Sequence, residues 1–202
     1  MGEPFSVELY GDHERDTMRP RGAPAGGAMP ANPGDVTTLR LPRWREWNPP
    51  LARAFWRLTA APTTRRSHFV AGRYENIYPD LGGMPEAEGI LAEIRRQAMT
   101  MLEVGDAQAL SFKVWFNVMA PGDATLAHRH DVDDERLSGV YYLTVPAASG
   151  DLVVATPAGR RVVTPRPGLL VLFPPHWEHE VRPHRGRGIR LSMAFNAGLR
   201  ER

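Results

Sequence analysis

Cysteine is absent from this chain of 202 residues. That excludes a disulfide scaffold, a thiolate zinc site and a cysteine nucleophile. Lysine is almost absent too: Lys113 stands alone among 25 basic residues, and all the others are arginine. Long apolar runs are missing. The longest of note, Leu169–Phe173, has five residues, far from the roughly 18 that a membrane span needs. A dominant charge is also lacking. The net charge is +2, too balanced for a chain whose first partner is nucleic acid. Around Glu3, Glu8, Asp12 and Arg15 there is no apolar core of a secretory signal. The expectation is a cytoplasmic protein with neither a membrane nor a nucleic-acid partner.

What is present divides the chain. Its length suits one domain with a tail. Over residues 19–34, half of the positions are Gly or Pro, which predicts a partly flexible N-terminal segment over 1–35. Residues 36–202 then form one domain, with a helical layer from about 49 to 104. Val36–Leu41 reads as a short strand. Pro49 and Pro50 are expected to open a helix that runs to about Leu58, because Pro suits a first helical turn. A stronger helix is expected from Pro85 to about Val104, where Ile90, Leu91, Ile94, Ala98, Met101 and Leu102 recur at helical spacing before Gly105.

Beyond that helix the period changes from helical to alternating. Leu110, Phe112, Val114, Phe116 and Val118 alternate with Ser111, Lys113, Trp115 and Asn117, the pattern of a half-buried strand. Short strands are expected at Leu137–Val145, Leu152–Ala155, Arg161–Thr164, Leu169–Phe173, Glu180–Arg182 and Ile189–Asn196, with Gly- and Pro-bearing turns between them. Helices followed by many short strands predict a mainly β fold with N-terminal helices: a β-sandwich or jelly roll.

Five of the seven histidines fall between 128 and 184. His128 and His130 are two apart, so an extended chain points them to one face. Two imidazoles can then reach one metal, and His179, arriving just after an apolar strand, can close the site. Arg190 sits inside a strand in which Ile189, Leu191, Met193 and Phe195 alternate with Arg190, Ser192, Ala194 and Asn196. A charge facing a barrel interior needs a partner, so Arg190 is not read as one more solvated arginine beside Arg182, Arg185 and Arg187. Its planar guanidinium suits a carboxylate, and Ser192, on the same face, adds a hydroxyl.

These blocks stand in a telling order. Trp115-Phe116-Asn117, Pro121-Gly122, the His-Arg-His run 128–130, LSGVYYLTV over 137–145, GLLVLFPPHWEHEVRP over 168–183 and IRLSMAFN over 189–196 together resemble the 2-oxoglutarate/Fe(II)-dependent oxygenases. The match covers about residues 111–196, and it looks like the prolyl-hydroxylase branch of that superfamily. The resemblance implies a double-stranded β-helix, a cupin-like jelly roll. It implies Fe(II) on His128, His130 and His179, with 2-oxoglutarate and O2 as cosubstrates. Arg190 and Ser192 would hold the distal carboxylate of 2-oxoglutarate, and Tyr142, the second Tyr of VYYL, would donate to it. The implied activity is hydroxylation of an unactivated C–H bond in a small molecule, amino acid or peptide, with 2-oxoglutarate converted to succinate and CO2.

One position departs from the commoner His-x-Asp/Glu pattern: His130 stands where the carboxylate usually does. Either His130 coordinates directly, or Asp131, Asp133 or Glu135 turns in, or the position stays open as in halogenases. An imidazole would fill such an opening, and strand alternation favours His130, since Asp131 points to the opposite face. His176, Trp115 and Trp177 are candidates for contact with substrate, and the acidic run 131–135 is a candidate for selecting a cationic one. The competing functions are a three-His cupin-type enzyme that uses no keto acid, and a jelly-roll module that only binds a small acid. Neither the substrate nor the oligomeric state is legible in the sequence.

Overall fold

The alternating segments around 115 and 193 become neighbouring strands in the computed structural model, which describes residues 36–60, 64–130 and 134–200. The elements are β1 (Thr37–Arg40), α1 (Trp44–Thr59), β2 (Arg65–Val70), β3 (Arg73–Tyr78), α2 (Glu88–Met101), β4 (Leu110–Met119), β5 (Thr125–His128), β6 (Glu135–Thr144), β7 (Leu152–Thr156), β8 (Gly159–Val163), β9 (Leu169–Phe173), β10 (His179–Val181) and β11 (Arg190–Leu199). A seven-stranded sheet runs β1-β9-β6-β11-β4-β3-β2, and a four-stranded sheet runs β5-β10-β7-β8. Every pairing is antiparallel. This is the double-stranded β-helix expected. The tail over 1–35 lies outside the described residues.

The period of two decides which side chains meet which layer. On β4, Phe112, Val114 and Phe116 face the helices, and Phe116 stacks on Phe55 of α1 with ring centroids 4.8 Å apart. On β11, Leu191, Met193 and Phe195 join the same core, together with Ile90, Ile94 and Ala98 of α2. The other face is not solvated, as a half-buried strand would be. Trp115, Ser192 and Asn196 are buried, because this face lines a cavity closed on its far side by the smaller sheet. Val154, Val171 and Trp177 form a second, smaller core there.

Helix α1 begins at Trp44, five residues before the expected start, and holds Pro49 and Pro50 inside it. Proline at 49 and 50 strands the carbonyls of Arg45 and Glu46, four residues back. Both residues are exposed, where solvent can replace the lost helical donors. The early turn is held by Asn48. Its Nδ2 donates to the carbonyls of Tyr142 and Leu143 at 3.1 and 2.8 Å, and its Oδ1 accepts from the Tyr141 hydroxyl at 2.6 Å.

The segment 49–104 is also not helical throughout, because β2 and β3 form a hairpin between the helices and pair onto β4 through Ile77 and Phe116. Arg65, Arg66, Ser67 and His68 give it no apolar alternation. Its signal is the two-residue turn Ala71-Gly72, with both residues at positive φ (49° and 84°), the backbone that a tight hairpin requires. Among the described residues no helix is long and apolar enough to cross a membrane.

Candidate metal centre

His128 ends β5 and His179 begins β10, and the two are register partners in the smaller sheet. Strand pairing alone therefore brings together residues 51 positions apart, with ring centroids 4.3 Å from one another. His130 lies just past β5, where its backbone N–H donates to the Pro175 carbonyl at 2.9 Å. Its ring is 5.4 Å from each of the other two. One ligand nitrogen from each of the three lies within 4.8 Å of the others.

The backbone sets the tautomers. His128 Nδ1 is 2.9 Å from the Leu126 carbonyl, and His179 Nδ1 is 2.9 Å from the Trp177 carbonyl. A carbonyl only accepts, so both Nδ1 atoms carry the hydrogen and both Nε2 lone pairs are left for a metal. Burial holds His179 well below the usual histidine range, and His128 and His130 push it further in the same direction. The centre is a set of three imidazole nitrogen donors, which suits a borderline cation such as Fe(II).

The same cavity, of about 550 Å³, reaches Tyr142, Arg190 and Ser192. Ser192 is the register partner of Tyr142 across the β6–β11 ladder, and Arg190 precedes it on the same face of β11. Arg190 is 2% exposed. Its Nη1 donates to the carbonyls of Ser149 and Gly150, each at 3.2 Å. Among the described residues its Nε has no hydrogen-bond partner, and neither has the Tyr142 hydroxyl. Burial raises the Tyr142 hydroxyl, so it stays a neutral donor, and burial lowers Arg190. A buried guanidinium with no ion pair among the described residues, beside two orphaned donors, is costly. A carboxylate between them would satisfy both.

The remaining sequence candidates separate. Glu135 is not part of the histidine cluster. Its Oε2 accepts from Asn196 Nδ2 at 2.7 Å and its Oε1 from Lys113 Nζ at 3.4 Å. Asp131 and Asp133 lie outside the described residues. Trp115 lines the cavity, its ring 6.1 Å from that of His130. Trp177 belongs to the smaller core and His176 is exposed. The sequence reading missed the hairpin wall of the cavity, formed by His68, Asn76 and Tyr78.

Comparison with known proteins adds likenesses. Residues 157–196 match the sequence model of a family described as "Putative 2OG-Fe(II) oxygenase". No curated protein matches the chain. Among solved structures, a prolyl-4-hydroxylase from Pseudomonas putida is similar at 24% identity and TM-score 0.64, over 83% of this chain and 94% of that one. A prolyl hydroxylase from Trichoplax adhaerens, in complex with a hypoxia-inducible-factor peptide fragment, is similar at 14% identity and TM-score 0.61, over 83% and 84%. A non-heme alpha-ketoglutarate-dependent epimerase from nogalamycin biosynthesis is similar at 15% identity and TM-score 0.62, over 82% and 78%. These likenesses share the fold. The stretch similar to that oxygenase model holds both His179 and Arg190.

Proposed function

We propose that this protein is a 2-oxoglutarate/Fe(II)-dependent oxygenase that hydroxylates an unactivated C–H bond of a small molecule, amino acid or peptide, converting 2-oxoglutarate to succinate and CO2. The observation that carries the reading is the pairing, in one cavity, of a three-histidine donor set with a buried arginine whose Nε has no partner among the described residues. Fe(II) held by His128, His130 and His179 would supply the activation of O2. The chain's own residues then have distinct tasks. The carbonyls of Leu126 and Trp177 orient His128 and His179 through Nδ1–H. Arg190 Nε and the Tyr142 hydroxyl donate to the distal carboxylate of the keto acid, and Ser192 borders it. The inner faces of β4, β6 and β11, closed over by the smaller sheet, keep bulk water from this end of the cavity.

Substrate class is part of this proposal. Of the similar structures, one carries a peptide fragment and another is an epimerase from nogalamycin biosynthesis; both a peptide and a small molecule suit the reading. It includes the cytoplasmic location expected from the sequence and has no nucleic-acid or membrane partner. The test is anaerobic titration of the protein with Fe(II) and 2-oxoglutarate, followed by admission of O2. A visible charge-transfer band on titration and succinate after O2 are the expected results. Iron binding without either would favour a three-His cupin chemistry that uses no keto acid.

A further inference from the structure

His184 is 1% exposed, yet it belongs neither to the metal set nor to the lining of the cavity. Both of its ring nitrogens face backbone instead. Nε2 is 3.0 Å from the Gly188 carbonyl. A carbonyl only accepts, so Nε2 carries the hydrogen. In the neutral ring Nδ1 then accepts, and the Gly186 N–H donates to it at 3.1 Å. The imidazole thus closes the turn over 184–188. Two glycines allow that closure: Gly188 has φ 90°, and a Cβ on Gly186 would run into the Ala147 carbonyl.

That turn governs Arg190 from two sides. Along the chain, Gly188 stands two residues before Arg190, which opens β11. Across space, the N–H groups of Arg185 and Gly186 donate to the Ala148 carbonyl at 2.8 and 3.1 Å. The Gly186 N–H is shared between that carbonyl and the His184 ring, which sets Nδ1 3.3 Å from the Ala148 oxygen. Ala148 has φ 55°, a strained backbone for alanine that persists only where its surroundings enforce it. The next two carbonyls, of Ser149 and Gly150, are those that accept from Arg190 Nη1. The strand that carries the guanidinium and the carbonyls that hold it are therefore tied to one imidazole. The backbone of His184 is anchored separately. Its N–H donates to the Asp123 carbonyl at 2.8 Å, and its carbonyl accepts from the Gly122 N–H at 2.7 Å. Those two bonds do not depend on the side chain.

We propose that His184 is a positioning residue for the keto acid: through these two turns it fixes the Arg190 guanidinium where Nε–H meets the distal carboxylate of 2-oxoglutarate. It acts through Arg190 and touches neither cosubstrate nor metal. The proposal rests on the reading of Arg190 as the carboxylate anchor.

The experiment uses the full chain with Zn(II) in place of Fe(II), so that no turnover intervenes, and calorimetry of 2-oxoglutarate binding. His184→Phe keeps a ring and removes both nitrogens. It is expected to weaken 2-oxoglutarate about fivefold, the factor that one hydrogen bond is worth, with Zn(II) affinity unchanged. His184→Gln retains a donor and an acceptor and should lose less. In an Arg190→Ala background His184→Phe should cost nothing further, because residues that act through one contact are not additive. Equal affinity in the wild type and His184→Phe, or full additivity in the double variant, overturns the proposal. A second readout needs neither metal nor cosubstrate. In 15N-arginine NMR of the metal-free protein, the Arg190 Nε–H signal, identified by its loss in Arg190→Ala, should shift in His184→Phe. An unmoved signal overturns the proposal too. Where His184→Phe does not fold, His184→Gln carries the same comparisons. An Arg190→Ala variant that binds 2-oxoglutarate as tightly as the wild type sinks the anchor reading and this proposal with it. A weakened Arg190→Ala beside an unchanged His184→Phe sinks this proposal alone.

Discussion

The guanidinium of Arg190 lies over the ring of Tyr142, with Cζ 5.0 Å from the centroid, and each side chain keeps one buried polar atom without a partner. The cation–π contact offsets part of the cost of burying the charge. It leaves the Arg190 Nε–H and the Tyr142 hydroxyl as two donors for a carboxylate. Removing one member of a buried charged pair costs about 2–5 kcal/mol. Arg190→Ala is therefore expected to raise the apparent 2-oxoglutarate constant at least tenfold, with Fe(II) affinity nearly unchanged. Tyr142→Phe removes a single neutral donor and should raise it less. Titrations of succinate formation against 2-oxoglutarate check both, and an unchanged constant in Arg190→Ala moves the cosubstrate elsewhere.

Each of the three histidines should be needed for metal. His128→Ala and His179→Ala are expected to abolish iron binding and succinate production, and His130→Ala to lose most of the iron affinity. Asp131→Ala, Asp133→Ala and Glu135→Ala should retain it. Equilibrium dialysis against Fe(II) under argon separates these cases. An iron-binding His130→Ala variant together with a metal-free Asp133→Ala variant would make a carboxylate the second ligand.

Stability of the metal-free protein should depend on pH through His179. Burial holds its folded value below the usual range, while in the unfolded chain a histidine takes its proton near pH 6.5. The unfolded state therefore binds protons first as pH falls. The stability is present in full above about pH 6.5 and drains away below it, toward the folded value. Glu135 acts in the opposite sense: burial raises it against the pull of Lys113, so its contribution improves as the pH falls through its raised folded value. Thermal melts from pH 7.5 to 5.5 should show a falling Tm, and His179→Gln should flatten the slope. A variant with an unaltered slope would remove His179 as the cause.

Asn48 joins α1 to β6 by three hydrogen bonds. Asn48→Ala strands the Tyr141 hydroxyl and two carbonyls in a buried place, at a cost of about 2–4 kcal/mol. For a chain of this size that lowers Tm by roughly 5–15 °C. Tyr141→Phe breaks one of the three bonds and should cost about 1 kcal/mol. Calorimetry of the two variants checks the order; an Asn48→Ala protein as stable as the wild type would show that apolar packing alone docks the helix.

Much of this molecule is written in local period. The alternation through Phe112, Val114 and Phe116, and again through Leu191, Met193 and Phe195, determines two strands and their apolar faces, because successive side chains on a strand point to opposite sides. The same rule sets Arg190 and Ser192 on the inner face and makes a buried charge there conspicuous. The pairing of His128 with His130 and the later His179 is legible as a donor set for the same reason.

Tertiary structure decided what depends on register and on contacts between distant segments. Only the β5–β10 pairing brings His128 to His179, and only the Leu126 and Trp177 carbonyls select the nitrogen that each leaves for a metal. The inner face of β4, expected to be solvated, is covered because a second sheet closes over it. The early start of α1 depends on carbonyls almost a hundred residues away, and no local propensity carries that information. A sequence period reports which way a side chain faces; which partner waits there is set by the register of strands far apart in the chain.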